Sequence, residues 1–176
     1  LVLGGGGARG FAHIGVIRAL QEGGIPIDMI GGVSMGAFLG AQLALGWDAK
    51  QMVEYNREIF NRIKPFNDYT LPFLGLITGY KFRGIAKKVY GDGQMEDLWT
   101  KFFCLSSNLT TAGVMVHEEG PIWRWLCASI AVPGFGPPLF DQGCLLSDGG
   151  VLNNLPIDVM RRLIEGIVIA SDVSPY

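Results

Sequence analysis

Apolar runs alternate with helical patterns along the whole of this chain. The runs at residues 1–3, 29–33, 102–109, 113–117, 144–146 and 166–172 predict short buried strands. Apolar positions at helical spacing predict helices over residues 11–21, 35–45, 48–62, 121–128 and 155–163. Because strands and helices alternate, we predict an α/β fold, a three-layer α/β/α sandwich with a mainly parallel central sheet. A chain of 176 residues has room for one sizeable core.

Both ends of this pattern are abrupt. Residue 1 already lies inside a predicted strand, and Tyr176 follows shortly after another. We therefore expect residues 1–176 to be a single domain excised from a longer chain. The three cysteines, Cys104, Cys127 and Cys144, form no C-x-x-C pair, and the two histidines are far apart. This usage predicts small buried side chains in a reducing, intracellular compartment and no metal site.

A serine stands between the second predicted strand and the helix that follows it. Residues 32–36 read Gly-Val-Ser-Met-Gly, a G-x-S-x-G pentapeptide around Ser34. Small residues on both sides let a tight strand-to-helix turn close and leave the hydroxyl exposed at the helix N-terminus. Free N–H groups and the helix dipole favour developing negative charge there. Ser34 is therefore a candidate nucleophile.

A glycine-rich loop follows the first predicted strand. Gly5, Gly7 and Gly10 form a G-x-G-x-x-G, and such a loop exposes backbone N–H groups that can hold an anion. A dinucleotide phosphate in a Rossmann-like nucleotide-binding module is one interpretation, but its acidic ribose ligand would have to end the second strand. Asp28 precedes that strand, and Ser34 stands at its end. An oxyanion hole facing Ser34 is the better interpretation.

A serine nucleophile needs a base, and the hydrolase order Ser, acid, His is not available here. His13 precedes the serine, and no residue after His117 could be the late histidine. The remaining candidate is Asp148, which ends a predicted strand and lies in the run Ser-Asp-Gly-Gly. It precedes a helix start predicted from two asparagines and a proline at residues 153–156. Strands that end at Gly4, Ser34 and Asp148 would meet at one edge of the sheet.

Three segments together carry a family resemblance. They are Gly-Gly-Gly-Ala-Arg-Gly at residues 5–10, the serine pentapeptide at residues 32–36, and Asp-Gly-Gly at residues 148–150. In residues and order they are similar to the three signatures of the patatin-like phospholipase domain, and the match spans essentially the whole chain. The flanking residues 10–20 and 24–32 resemble the neuropathy-target-esterase branch, which hydrolyses lysophospholipids and phospholipids.

The resemblance implies a carboxylic ester hydrolase with a Ser–Asp dyad. Ser34 would be the nucleophile, Asp148 the base, and an acyl-enzyme would form without a cofactor or metal ion. The oxyanion hole would consist of Gly5, Gly6 and Gly7. The residues that support the motifs would be Arg9, Gly10, Gly32, Gly36, Gly149 and Gly150. The chain departs from the family at Gly136, where an aromatic residue is expected in a run that lines the acyl pocket.

Two stretches bear on membranes. Residues 30–47 are uncharged, but they hold five glycines, Ser34 and Gln42, which favours strand, turn and helix over a membrane span. Residues 66–80 contain one charge, and a basic segment with Lys81, Arg83, Lys87 and Lys88 follows. The apolar side chains in 66–80 have no clean period, and we expect them to be exposed: Phe66, Tyr69, Leu71, Phe73, Leu74, Leu76, Ile77 and Tyr80. This is either a buried connection beside a solvated helix face or an interfacial lid that contacts lipid.

The charge distribution favours the lid. Residues 1–88 carry ten basic and six acidic groups, whereas residues 89–176 carry four and ten. No aromatic-interleaved basic stripe suggests a nucleic-acid partner. We expect a phospholipid or lysophospholipid substrate and peripheral contact with a membrane, with the domain on its cytosolic side. A non-catalytic lipid-binding domain that keeps this fold is the remaining alternative.

Overall fold

The computed structural model describes residues 1–71 and 75–174, and within these ranges it contains seven strands and six α-helices. The strands are β1 (Val2–Leu3), β2 (Met29–Gly32), β3 (Lys101–Asn108), β4 (Gly113–His117), β5 (Leu139–Asp141), β6 (Cys144–Asp148) and β7 (Ala170–Ser171). The helices are α1 (His13–Glu22), α2 (Met35–Ala44), α3 (Ala49–Glu58), α4 (Tyr80–Tyr90), α5 (Ile122–Ser129) and α6 (Ile157–Leu163). Short 3-10 turns precede α1 (Gly7–Ala12), follow β6 (Gly149–Val151) and lie at Met95–Asp97, and a π-helical turn (Ile59–Ile63) extends α3.

Parallel pairing organises one half of the sheet. β1 lies between β2 and β7, and β2 also pairs with β3, all in parallel. β3 pairs in antiparallel fashion with β4 and with β6, and β5 is antiparallel to β6. β5 therefore runs in the same direction as β1, β2, β3 and β7, so the prediction of a mainly parallel sheet is confirmed.

Side chains alternate between the two faces of the sheet, and each face buries its own apolar cluster. Leu3, Ile30, Phe102 and Cys104 pack in a cluster that includes residues of α1, α2, α3, α4 and α5. Val2, Met29, Phe103 and Leu105 pack with Val159 and Met160 of α6. The helices thus form a layer on each side of the sheet, and the predicted three-layer sandwich is confirmed.

Two local predictions were wrong. The last strand was expected over 166–172, but only Ala170–Ser171 pairs, because its partner β1 is two residues long and Gly166 turns the chain with a φ of 129°. The asparagines were expected to cap α6, but Pro156 holds the N-cap position and no side chain caps it. The Asn154 side chain donates to the Gly5 carbonyl instead.

Helix α2 lies against the ends of β1 and β2 at backbone distance. A Cβ on Gly36 would come within 2.6 Å of the carbonyl oxygen of Gly4, and one on Gly32 within 2.6 Å of the Ala37 backbone. Neither neighbour can move without moving the sheet or the helix. All ten residues of α2 are buried, so this contact anchors the most buried helix in the described chain.

Substituting Gly36 by alanine should destabilise the fold by about 2 kcal/mol or more, because the added methyl overlaps backbone rather than a flexible side chain. The matched control is Gly15→Ala in α1, where the added Cβ meets open space. That variant should be neutral or gain up to about 1 kcal/mol from helix propensity. Urea unfolding of both variants measures the difference, and equal stabilities would show that α2 does not pack this closely.

Candidate active site

Ser34 occupies a strained turn between β2 and α2. Its φ of 53° and ψ of −123° lie where L residues are rarely found, at a free-energy cost of about 1–3 kcal/mol. The Ser34 N–H donates to the Ser129 hydroxyl oxygen at 2.9 Å, and the Ser34 carbonyl accepts the first α2 hydrogen bond from Phe38. The serine is therefore fixed from both sides at the N-terminus of α2, as the pentapeptide predicted. The predicted exposure is wrong, because Ser34 is buried, with 8% of the residue exposed.

The glycine loop after β1 is tied down before it reaches Ser34. The Gly4 carbonyl accepts a 2.8 Å hydrogen bond from Nε2 of His13, which is buried in α1. The Gly5 N–H donates to the Asn154 carbonyl oxygen at 3.2 Å, so it is engaged within the protein. Among the described residues, the Gly6 and Gly7 N–H groups have no such acceptor. Of the three predicted oxyanion-hole amides, Gly6 and Gly7 are the free ones.

Asp148 reaches Ser34 by a different route from the one predicted. β6 is antiparallel to β3, so its carboxyl end does not share a direction with that of β2. However, Asp148 pairs with Ser106 of β3, only two residues beyond Cys104, which pairs with Gly32 at the end of β2. The two strands therefore bring their carboxyl ends to the middle of β3, and Ser34 and Asp148 line the same cleft.

The Asp148 carboxyl group is buried, with 5% of the residue exposed. Burial raises its pKa above the ordinary value of 3.8, whereas hydrogen bonding by the Ser34 hydroxyl and the Gly150 N–H lowers it. The Gly150 N–H donates to Oδ1 at 2.7 Å. Since burial is the largest effect, the Asp148 carboxylate is more basic than that of a free aspartate.

Two compartments meet at Ser34. One is a largely apolar cavity of about 680 Å³. The other is a smaller cleft of about 390 Å³, termed the polar cleft because it contains Asp148, although Val132, Pro133 and Val151 also line it. The cavity lining includes Phe11, Met35, Phe60, Phe66, Ile77, Phe82, Ile130 and residues Phe135, Gly136, Pro137 and Pro138. The cleft is lined by Gly5, Gly6, Gly7, Arg9, Asp148, Gly150, Asn154 and Ser174, among others. Ser34 thus lines both compartments.

The remaining predicted motif residues lie where backbone must approach backbone or a side chain. Gly10 leaves space for Met35, and Gly149 for the carbonyl of Leu105 in β3. Arg9 is exposed beside the cleft, and its N–H closes the glycine turn on the Gly6 carbonyl at 3.1 Å. Gly136 and its neighbours line the cavity, as the sequence indicated for this run.

Neither histidine lines either compartment. His13 uses both ring nitrogens, since its Nδ1 also bonds the Ser171 hydroxyl at 2.8 Å. His117 ends β4 as predicted, stacks on Trp125 and accepts or donates a 2.7 Å bond with Ser106. Burial lowers the His117 pKa to about 4. Among the described residues that line the two compartments, Asp148 is the one carboxylate or imidazole.

The predicted lid is only partly exposed. Tyr69, Leu71 and Tyr80 are largely exposed, but Ile77 is buried and Phe66 stacks on Phe82 at 5.7 Å between ring centroids. The expectation that Phe66 and Ile77 are exposed was therefore wrong, because both line the cavity. Phe73 and Leu74, which were also predicted to be exposed, lie outside the described residues.

Two residues that hold the site were not predicted. Ser129 fixes the Ser34 backbone, and Asn154 fixes the glycine loop. The asparagine pair at 153–154 predicts a helix start, but only the fold shows that one of its side chains crosses to the N-terminal loop. No local pattern around Ser129 signals its contact with a residue 95 positions away.

Across residues 1–71 and 75–174, no group of three or more His, Cys, Asp or Glu side chains could hold a metal ion. No helix in the same ranges combines the length and apolar character that crossing a bilayer requires. Residues 30–47 form β2, the serine turn and α2, as expected.

Residues 1–161 match the model of the family described as Patatin-like phospholipase. The chain belongs to the patatin-like phospholipase family. It is 42% identical over 98% of its length to Patatin-like phospholipase domain-containing protein 6 of Homo sapiens. It is 41% identical, over the same share, to Lysophospholipase nte1 of Aspergillus fumigatus. The family inferred from the three motifs is therefore confirmed.

This patatin-like chain spans only 12–13% of the length of those relatives. Its fold is similar to that of VipD from Legionella pneumophila, with a TM-score of 0.62 over 86% of this chain and 46% of that one. At 16% identity this likeness concerns the fold alone. The family assignment also removes the support for a Rossmann-like nucleotide-binding module.

The raised pKa of Asp148 predicts a pH-dependent penalty on stability. The pKa of Asp148 is higher in the folded state than in the unfolded state. The free energy of unfolding therefore decreases as pH rises through the folded-state pKa, and this decrease is absent below the unfolded-state pKa of about 3.9. Asp148→Asn cannot ionise, so its free energy of unfolding should gain on wild type progressively from acid to neutral pH. Urea unfolding across that range measures the gain. Ser34→Ala removes a hydroxyl that lowers the Asp148 pKa, so the free energy of unfolding of this variant should fall further with rising pH than that of wild type.

A difference in unfolding free energy between Asp148→Asn and wild type that stays constant with pH would contradict a raised Asp148 pKa.

Proposed function

We propose that the chain is the catalytic domain of a serine acyl hydrolase that cleaves fatty-acyl esters of lysophospholipids or phospholipids. The observation that carries the proposal is the position of Ser34 between an apolar cavity and a polar cleft that also contains Asp148. A lipid ester has the same division, with an apolar chain on one side of its carbonyl and a polar glycerol headgroup on the other. The relatives named for lysophospholipase activity support this substrate class.

In the first half of the reaction, Asp148 takes the proton of the Ser34 hydroxyl as Oγ attacks the ester carbonyl. The tetrahedral oxyanion is stabilised by the free N–H groups of Gly6 and Gly7, and by the N–H of Met35 at the N-terminus of α2. As the C–O bond to glycerol breaks, Asp148 returns the proton to the leaving alkoxide. The product is an acyl-enzyme on Ser34.

In the second half, water replaces the alcohol in the polar cleft. Asp148 removes a proton from the water as it attacks the acyl-enzyme carbonyl, and the same N–H groups stabilise the second oxyanion. Collapse of this intermediate breaks the bond to Ser34 Oγ, which regains the proton from Asp148. Free fatty acid leaves through the cavity, and no cofactor or metal ion takes part.

Burial of Asp148 supports its role as the base. A free aspartate is a weak base for a hydroxyl, and desolvation makes the carboxylate more basic. The described part of the cleft contains no histidine, so the proton of the Ser34 hydroxyl passes directly to Asp148. Activity should therefore fall on the acid side as pH drops through the raised pKa of Asp148.

Fatty-acid release from lysophosphatidylcholine tests this function. Ser34→Ala should leave no acyl-enzyme and no release above background, and Asp148→Asn should lower kcat by about 10²- to 10⁴-fold. Asp92→Asn, an exposed aspartate outside both compartments, is the matched control and should keep full activity. Mass spectrometry after acid quench should find the acyl group on Ser34. Full activity of Asp148→Asn would remove it as base, and vesicle binding without any release would favour the non-catalytic lipid-binding alternative.

We also propose that the domain contacts a membrane surface peripherally, on its cytosolic side. A docking face surrounds one side of the cavity: exposed Tyr69, Leu71, Leu76 and Tyr80, and the cations Lys81, Arg83, Lys87 and Lys88 of α4. α4 carries no acidic residue, and Tyr80 and Arg83 also line the cavity. Apolar contacts and anionic headgroups would thus hold the cavity against lipid. The free thiols Cys104, Cys127 and Cys144 fit a reducing compartment.

Reversing two charges of the docking face should weaken vesicle binding. Lys87→Glu/Lys88→Glu removes and inverts two cations, and at about 1 kcal/mol for each basic residue near the surface we expect at least tenfold weaker partition. The matched control is Arg161→Glu/Arg162→Glu, at two exposed residues of α6, which makes the same change in net charge. Co-sedimentation with phosphatidylserine-containing vesicles measures partition, and a soluble short-chain ester checks that the site is intact. Equal losses in both variants would show that net charge, not this face, governs binding.

A further inference from the structure

Hydrogen bonds from residues outside the glycine loop set the orientation of its peptide planes. A planar trans peptide holds the carbonyl of one residue antiparallel to the N–H of the next. His13 Nε2 bonds the Gly4 carbonyl at 2.8 Å, and the Gly5 N–H on the far side of that plane donates to the Asn154 carbonyl. The first plane of the loop is therefore held at both ends.

The next plane is held at one end only. Nδ2 of Asn154 donates to the Gly5 carbonyl at 3.0 Å, and the opposite end of this plane is the Gly6 N–H. That N–H has no acceptor among the described residues, and Gly6 lines the polar cleft beside Ser34. A Gly–Gly peptide has little steric resistance to rotation. The hydrogen bond from Asn154 is thus the contact that sets the direction of the Gly6 N–H.

Asn154 is itself well fixed and stands between the two halves of the site. Its second Nδ2 hydrogen bonds the Ser174 hydroxyl at 3.0 Å. Its Oδ1 fills the space beside Gly5 and Gly150, where a Cβ on either glycine would collide with it. Gly150 in turn donates to Asp148. One side chain therefore contacts both the loop with the free amides and the loop that carries the carboxylate.

We propose that Asn154 is a positioning residue that aims the Gly6 N–H at the oxyanion formed on Ser34 and keeps it in register with Asp148. This inference rests on the hydrolase function proposed above. Asn154 touches no reacting atom, so it acts through the Gly5–Gly6 peptide. Without its hydrogen bond that peptide can rotate, and an oxyanion donor that points elsewhere contributes nothing to the transition state.

The neighbouring asparagine provides a matched control. Asn153 has the same side chain one residue earlier, but its Nδ2 donates to Asp158 at 2.8 Å and makes no hydrogen bond to the described glycine loop. Asn153→Ala therefore removes an equivalent amide from the same segment. A loss of activity caused by shortening any asparagine at the start of α6 should appear in both variants. A loss caused by misorientation of the Gly6 N–H should appear only in Asn154→Ala.

The experiment compares Asn154→Ala and Asn153→Ala with wild type in two measurements. The first is kcat and KM for a soluble short-chain ester, with kcat expressed per Ser34 that reacts with a fluorophosphonate. The second is the ¹⁵N order parameter of the Gly6 amide, which is about 0.85 in rigid backbone and below about 0.6 in flexible backbone. We expect Asn154→Ala to lower kcat at least about tenfold with little change in KM, and to mobilise Gly6. Asn153→Ala should do neither.

Each outcome decides the proposal. A kcat for Asn154→Ala within about threefold of wild type, or a Gly6 amide as rigid as in wild type, overturns it. If Asn154→Ala does not fold, Asn154→Asp replaces it, because aspartate keeps the shape and lacks both donated hydrogen bonds. If wild type hydrolyses no ester, the proposed function fails, whereas Gly6 mobility still decides whether Asn154 fixes the loop.

Discussion

Backbone contact between α2 and the ends of β1 and β2 is the constraint on which the site depends. Glycine at 32 and 36 lets the helix approach until its first turn touches the Gly4 carbonyl. At that distance the chain can pass from strand to helix only through a sharp turn, and Ser34 takes a positive φ there. The same approach sets the glycine loop after β1 beside the N-terminus of α2. One steric requirement thus brings Ser34 and the free amides of the glycine loop together.

The site contains several features that oppose folding. Ser34 has a strained backbone, Asp148 is a buried carboxyl group, and the Gly6 and Gly7 N–H groups have no described partner. Apolar packing around the site offsets these free-energy costs, since α2 is buried along its whole length and both faces of the sheet bury apolar clusters. Such concentration of unfavourable geometry at one place is typical of a functional site, since the surrounding structure must hold it in place.

Much of this arrangement could be predicted from the sequence because it is local. The strand, glycine loop and helix at the N-terminus, the serine turn and the capping of α3 by Asp48 all follow from neighbouring residues. What could not be predicted depends on distant pairing. The direction of β6 follows from its partner β3, and the length of β7 from its short partner β1. Ser129 and Asn154 act across 95 and 149 positions, where no periodicity signals a contact. In residues 66–80, the apolar pattern could not separate side chains that line the cavity from those that face solvent.

The two compartments are built mainly from different parts of the chain. The apolar cavity is lined mostly by α4, the turn after α3 and the run 130–139, and the polar cleft mostly by the glycine loop, the aspartate loop and Asn154, although Gly7 and Val132 line both. An acyl chain gains about 0.8 kcal/mol for each methylene that it buries, while a charged headgroup would lose far more by desolvation in the same cavity. Under the proposed function, these opposite preferences would orient a lipid ester without specific contacts to either end. The ester carbonyl would then lie where the two compartments meet, and Ser34 lines both of them.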